Sequence, residues 1–373
     1  MAVSGRRIAK NNRQERMALK PTLAEEPLSQ LEPRKILLIR LRAIGDVVLT
    51  TPLIRALKRQ YPQAQLHVLT DALPGTLLAG NPHVDKFLQA PPRGSSLGAQ
   101  LSQFRDLRRE GYDLVFDLFG NPRSAWMTLA TGAKTRVGYA HRFRKVAYTH
   151  PVPKNQVRKY QVDVNLDVLR HVGIPDDGLQ TELFLTDAEK TWSHTALWDL
   201  ESKRSKLKIG LNPTGSWSAK RWPLVHWTEL TERLAGKGIR PLVFWSPGDP
   251  EGVKPWASAL GDKVVLAPPT DLRQMAALIS GLDCLVGNDG APQHIAQALG
   301  VKTLTLFGPT WGLSWNPPSD SRFGFLQTFP SCGPCDRTLC LNREDGKPGY
   351  LDCLNNIQVG LVEETLGKIM RFV

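Results

Sequence analysis

No apolar run in this sequence approaches the ~20 residues that a bilayer-spanning helix requires. The first twenty residues are basic and polar and lack the apolar centre of a secretory signal, so a cytoplasmic protein is expected. No Gly-x-Gly-x-x-Gly follows the first apolar strand, where Arg42-Ala-Ile-Gly45-Asp46 supplies a single glycine. That argues against a nicotinamide-dependent oxidoreductase. A Walker loop is also absent, which excludes a P-loop nucleotidase. Basic residues are not interleaved with aromatics, so no nucleic-acid partner is expected. Cysteine is scarce, with five in all, yet Cys332, Cys335, Cys340 and Cys353 fall close together near the end of the chain.

What is present is a chain of 373 residues, 41% of them hydrophobic, long enough for two domains of about 150 residues each. The formal charge is +13, which suits an anionic partner. Part of the charge is local. Arg6, Arg7, Lys10, Arg13, Arg16 and Lys20 face only Glu15 in the first twenty residues. With Pro21, Pro27 and Pro33 following, residues 1–34 read as a basic, disordered arm suited to anionic lipid headgroups.

Lys35-Ile-Leu-Leu-Ile-Arg40 is an apolar run of the kind buried in parallel sheets. A helical pattern follows through Leu49, Leu53, Ile54 and Leu57, with a break expected at Pro52 and Thr51 as its cap. Strand-like and helix-like segments then alternate, and the alternation restarts at Lys206–Leu211 after a charged stretch. The expected fold is α/β, with two doubly wound Rossmann-like halves facing a central cleft. The expected divisions are 35–195 and 196–358, with a terminal helix in 359–373 able to pack back on the first half.

Five constellations carry candidate chemistry. In Val286-Gly-Asn-Asp-Gly-Ala-Pro-Gln-His294, a buried strand runs through a Gly-containing turn into a helix with proline near its start. Backbone N–H groups of Gly290 and Ala291 would cradle a pyrophosphate there, with Asp289 toward a sugar hydroxyl and His294 nearby. A helix cap explains Asp289 as well. In Asn212-Pro-Thr-Gly-Ser-Trp-Ser-Ala-Lys220, Thr214, Gly215 and Ser216 can donate to phosphate oxygens, and Lys220 can neutralise a leaving diphosphate. Asp46, after the first strand, is either a general base or a helix cap. Arg40 and Arg42 beside it, and Asn121 and Arg123 in the loop after Leu114–Leu118, are candidates for an anionic acceptor. Asp249 and Glu251 occupy the region where such folds bind ribose hydroxyls. Cys332, Cys335, Cys340 and Cys353 have spacing able to bind Zn²⁺ or an iron–sulfur cluster, or to remain reduced thiols, and Cys284 reads as core.

Together these motifs resemble the bacterial lipopolysaccharide heptosyltransferase family, glycosyltransferase family 9. The resemblance is carried by Ile39–Leu57, Lys220-Arg-Trp-Pro223, Gly287-Asn-Asp-Gly-Ala-Pro-Gln-His294, Thr305-Leu-Phe-Gly-Pro-Thr310 and the cysteine cluster. It implies the GT-B architecture and inverting transfer from a nucleotide sugar. It further implies Asp46 as base and Lys220 as stabiliser of the departing diphosphate, with no cofactor needed for catalysis. The donor it implies is ADP-L-glycero-D-manno-heptose and the acceptor is the inner core on lipid A. A peripheral location at the inner face of the inner membrane follows from that acceptor. A family member with another nucleotide sugar or surface glycan, and a non-catalytic nucleotide-binding module, are the alternatives.

Overall fold

The computed structural model describes residues 27–140, 142–153, 157–201, 207–246, 248, 252–342 and 349–370. Of the arm expected over residues 1–34, residues 1–26 lie outside the described residues; residues 27–34 pack on the first half instead, with Leu28 buried, its N–H donating to the Val172 carbonyl and its carbonyl accepting from the Tyr61 hydroxyl. Two six-stranded parallel sheets form the frame. The first contains β1 (Lys35–Ile39), β2 (Gln65–Thr70), β3 (Lys86–Gln89), β4 (Leu114–Asp117), β5 (Thr135–Ala140) and β6 (His150–Pro153), in the order β3-β2-β1-β4-β5-β6. The second contains β7 (Ile209–Asn212), β8 (Leu242–Val243), β9 (Val265–Leu266), β10 (Cys284–Asn288), β11 (Lys302–Phe307) and β12 (Phe323–Gln327), ordered β12-β11-β10-β7-β8-β9.

The apolar run of β1 is explained by burial on both sides. Ile36 and Leu38 face a core completed by Leu53, Ile54 and Leu57 of helix Thr51–Gln60 and by Leu166 of helix Gln161–His171. Leu37 and Ile39 face another, completed by Leu107 of helix Leu97–Glu110 and Met127 of helix Pro122–Thr131. A strand covered on both faces has no polar side to alternate with. Each sheet reverses its strand order beside its first strand, β1 against β4 and β7 against β10. Crevices at the carboxyl ends of such neighbours are where doubly wound sheets bind ligands. Asp46 follows β1, the Thr214 loop follows β7, and Asp289 follows β10.

Three expectations change in detail. The break in the first helix falls between Ile44–Val48 and Thr51–Gln60, with Thr50 rather than Thr51 flanking it and Pro52 inside the first turn, where its missing N–H costs nothing. Helix Asp187–Glu201 spans the expected boundary at 195, yet it packs on helix Leu272–Ser280, with Ser193 Oγ donating to the Ala277 carbonyl at 2.6 Å. The chain therefore crosses between halves before residue 187. Helix Val359–Met370 buries Val359, Val362 and Leu366 in the core of the second half, beside Trp227 and Leu304. It closes the outer face of the second sheet instead of returning to the first half. Among the described residues no helix is long and apolar enough to cross a membrane.

Candidate functional site

The halves meet in an apolar seam where Val48, Leu77 and Leu183 pack with Leu242, Leu278 and Ile295. Above it opens a cleft of about 1530 Å³, lined from the first half by Gly45 and Asp46 and from the second by Thr214, Lys220, Asp289 and His294, among others.

On the first-half wall, Asp46 sits in the first turn of helix Ile44–Val48, and its Oδ2 accepts the Ala43 N–H at 2.9 Å. Its Oδ1 pairs with Arg40 Nη2 at 2.8 Å. Cap and cleft residue are thus compatible descriptions of Asp46. A carboxylate offers about four lone-pair sites, so two such bonds leave acceptor capacity for a proton. Arg40 also donates from Nη1 to the Leu118 carbonyl and lies over the Phe119 ring. It orients Asp46, and the free arginine expected for an acceptor is not found there. Arg42 is exposed, with its guanidinium 5.9 Å from the centroid of the same Phe119 ring.

The loop expected to touch acceptor is committed to its own geometry. Asn121 caps helix Pro122–Thr131 by accepting the Ser124 N–H, and Arg123 donates to the Pro91 carbonyl. Asp117, fully buried, accepts the N–H groups of Phe119 and Gly120 and the Tyr148 hydroxyl, and burial pushes its carboxyl up. Neither Asn121 nor Arg123 lines the cleft. Arg158, which the sequence reading passed over, does line it and reaches across to Asp336 at 3.5 Å. No motif marks Arg158; only the fold brings it to the opening.

The second-half wall is tied together by buried polar groups. Lys220 Nζ lies 2.6 Å from Asp289 Oδ2 and 4.4 Å from the Trp217 ring centroid. Thr310 Oγ1 donates to the same Asp289 oxygen at 2.6 Å. Asn288 spans two motif loops: its Oδ1 accepts the Trp222 N–H, and its Nδ2 donates to the Pro213 and Thr214 carbonyls. Thr310 and Asn288 belong to the sequence motifs, but spacing alone gives neither a role, because their partners are distant in sequence.

Thr214, Gly215 and Ser216 line the cleft beside this network, as do Gly290 and Ala291 at the start of helix Ala291–Ala298. Gly290 is extended, and a Cβ there would meet nothing closer than 3.7 Å. Neither backbone nor packing demands glycine there, and its lack of a side chain leaves open space before the helix N-terminus. Asp249 and Glu251 lie outside the described residues.

His294 is buried, and its Nδ1 has no hydrogen-bond partner among the described residues. Burial lowers its pKa despite the opposing pull of Asp289 and Asp46, so the ring is neutral near pH 7. Its Cδ2 stands where a Cβ on Gly45 would be 2.6 Å away. Glycine at 45 is what lets the two walls approach this closely.

Of the two alternatives open to the clustered cysteines, metal binding gains no support from their placement among the described residues. Cys332 is exposed and the other three are half-buried. Burial, with smaller contributions from Cys332, Cys340 and Cys335, pushes the Cys353 thiol up to about 12. Cys340 Sγ accepts the Leu351 N–H at 3.4 Å. Among the described residues no group of three or more His, Cys, Asp or Glu is arranged to hold a metal ion, so the zinc or iron–sulfur expectation finds no geometric support. Cys284 is buried in β10 as core, as its sequence context suggests.

Comparison with known proteins places the chain in one family. Residues 100–344 match the model of glycosyltransferase family 9 (heptosyltransferase). Lipopolysaccharide heptosyltransferase 2 of Escherichia coli K12 is 28% identical over 352 residues, covering 90% of this chain and 98% of that protein. The structure of the ADP-heptose lipopolysaccharide heptosyltransferase II of E. coli superposes with a TM-score of 0.73 at 24% identity, covering 90% of this chain and 98% of that one. A family 9 glycosyltransferase from Veillonella parvula gives 0.79 at 20% identity, over 92% of this chain and 99% of its own.

Proposed function

The chain belongs to glycosyltransferase family 9 and is a transferase of GT-B architecture; on that premise we propose that it moves a heptose from ADP-L-glycero-D-manno-heptose to the inner core of lipopolysaccharide, with inversion at the anomeric carbon. The observation that carries this reading is the single cleft in which Asp46 of one sheet faces Lys220, Asp289 and Gly290 of the other.

In this mechanism the nucleotide diphosphate lies against the Thr214–Ser216 loop and the amides of Gly290 and Ala291. Helix-end N–H groups and the dipole behind them favour the anion. The acceptor hydroxyl attacks the anomeric carbon from the face opposite the diphosphate and gives its proton to Asp46. The C–O bond to ADP breaks, and the charge gathering on its phosphate oxygen is met by Lys220 and the helix-end amides. Lys220 is held ready by Asp289, whose remaining oxygen can take a hydroxyl of the donor sugar. Lys220 and the amides supply the positive charge that the leaving diphosphate requires. Neutral His294 is suited to a hydrogen bond with bound donor. Arg158 exchanges its weak exposed pairing with Asp336 for an acidic group of the acceptor. The acceptor is embedded in the inner membrane, so the reaction takes place at its cytoplasmic face.

The test is incubation with ADP-heptose and truncated core glycolipids, with products weighed and the new linkage assigned. A mass gain of one heptose with inverted configuration is expected; release of ADP without a heptosylated product would overturn the reading. A non-catalytic nucleotide-binding module would bind ADP and give neither.

A further inference from the structure

We propose that the outer face formed by helices Leu97–Glu110 and Pro122–Thr131 and the 3-10 segment Arg142–Ala147 docks on an anionic lipid bilayer. The proposal rests on the reading that the acceptor is membrane-embedded, but it concerns a surface outside the cleft. Four large apolar side chains stand out on these elements: Leu97 is 71% exposed, Leu101 55%, Trp126 63% and Val146 74%. The first helix packs on the second, and the second on the 3-10 segment, so the four stand on three mutually packed elements of one outer layer. Isolated exposed apolar residues are ordinary, whereas a gathered set that includes tryptophan marks a contact surface.

Charge identifies the partner. Residues 91–147 contain ten Lys and Arg against four Asp and Glu, a large share of the excess in the whole chain. Of the four acids, Asp117 is buried and Glu110 is paired with Lys35 and Lys86. On helix Leu97–Glu110, positions 97, 101 and 105 fall on one stripe, which reads Leu, Leu, Arg, while Arg108 at its far end turns to the Thr131 carbonyl and Asp106 falls on the opposite side. Exposed Lys145 adjoins Val146 in the 3-10 segment. Apolar tips set among cations are the pattern of an element lying at the headgroup boundary of an anionic membrane.

Topology supplies the purpose. All strands of the first sheet run parallel, so the loops after β1, β3, β4 and β5 emerge on one edge. Asp46 follows β1, Leu97 and Leu101 open the helix after β3, and Trp126 lies in the helix after β4, whereas Val146 comes just before β6, next to Ala147, whose carbonyl accepts from Arg136 at the start of β5. Leu97, Leu101 and Trp126 therefore lie toward the edge that carries the base, and Val146 extends the face toward the other edge. Docking this edge holds the cleft mouth beside the membrane, where the sugar of an embedded acceptor is presented.

The experiment is sedimentation of the full chain with phosphatidylglycerol vesicles and with phosphatidylcholine vesicles. Preferential binding to the former is expected, with a partition coefficient at least ~10-fold lower for the combined variant Leu97→Ser, Leu101→Ser, Trp126→Ser and Val146→Ser. Thermal melting and turnover on a soluble, deacylated acceptor should stay unchanged in that variant. If it misfolds, Arg105→Gln with Lys145→Gln keeps the apolar tips and should weaken vesicle binding by ~3- to 10-fold at low salt. Wild-type partitioning in both variants, or loss of self-association in place of loss of vesicle binding, would overturn the proposal. Patch-dependent vesicle binding without any transfer to the soluble acceptor would instead leave the docking surface standing and defeat the assigned reaction.

Discussion

The two walls of the cleft are built on opposite plans. The first-half wall is local: Arg40, Ala43 and Asp46 lie close together in the chain and hold one another. The second-half wall is assembled from loops after β7, β10 and β11, with Asn288 and Asp289 as the knots. A local turn can place one carboxylate with few dependencies. A diphosphate pocket needs several groups to converge, and buried hydrogen bonds hold that convergence in place.

The sharpest way to break this comparison is at Asp46. If the first wall contributes the base and little else, Asp46→Asn should lower kcat by ~10³-fold or more while ADP affinity changes less than about twofold. Steady-state rates and calorimetric titration with ADP read the two quantities separately. Retention of about a tenth of the rate would remove Asp46 from the chemistry. On the other wall, Lys220→Ala should cost ~10²-fold in kcat, since it removes one of several groups stabilising the leaving group. Asp289 would then be left buried without its cation, so ADP affinity should fall as well, which Asp46→Asn does not do. An equal pattern in the two variants would erase the distinction between the walls.

The same contrast explains what could be read from the residues. The sheets were legible because strands such as Lys35–Ile39 and Leu114–Asp117 are buried on both faces and so are largely apolar. Asp46, Lys220 and Asp289 were legible as cleft candidates because each follows a strand at a carboxyl edge. Partnerships were not. Nothing in the spacing tells Lys220 to meet Asp289, 69 positions on, or Thr310 to reach back 21 to the same oxygen. Arg40 and Asn121 misled for a related reason: polar residues beside a cleft motif can be engaged in orienting and capping, as both are here. Strands β5, β6 and β12 carry weaker apolar signals, with Thr135, Arg136, His150 and the prolines of β6 diluting them.

Asn288 sharpens the claim about the second wall. Its side chain satisfies one donor and two acceptors of separate loops while buried. Asn288→Ala should destabilise the protein by about 2–3 kcal/mol and weaken ADP binding by ~10-fold, with thermal melts and titration as the readouts. No single residue of the first wall, Asp46 included, should couple stability to ADP affinity in this way.

Where the walls touch, the effect is expected to be smaller and mutual. Gly45→Ala would set a Cβ against the His294 ring, so the halves must part slightly to accept it. A loss of about 5- to 10-fold in kcat is expected, since modest misplacement of reacting groups is costly. His294→Ala removes the obstacle, and the double variant should recover activity relative to Gly45→Ala combined additively with His294→Ala. Strict additivity would show that the contact does not set the separation of the walls.

The smallest effect is one of protonation at that same contact. Burial holds the His294 pKa below its ordinary 6.5, so the unfolded chain binds a proton in a range where the folded chain does not. Stability from this group is therefore complete above about pH 6.5 and declines as pH falls through the unfolded value toward the folded one. His67 and His226, also lowered by burial, contribute in the same sense, so wild type alone cannot assign the slope. Thermal melts of wild type and His294→Gln across that range isolate it: the variant should lose less stability on acidification. A glutamine that leaves the slope unchanged would mean that His294 accepts its proton without cost, and that the junction of the two walls is wetter than its burial implies.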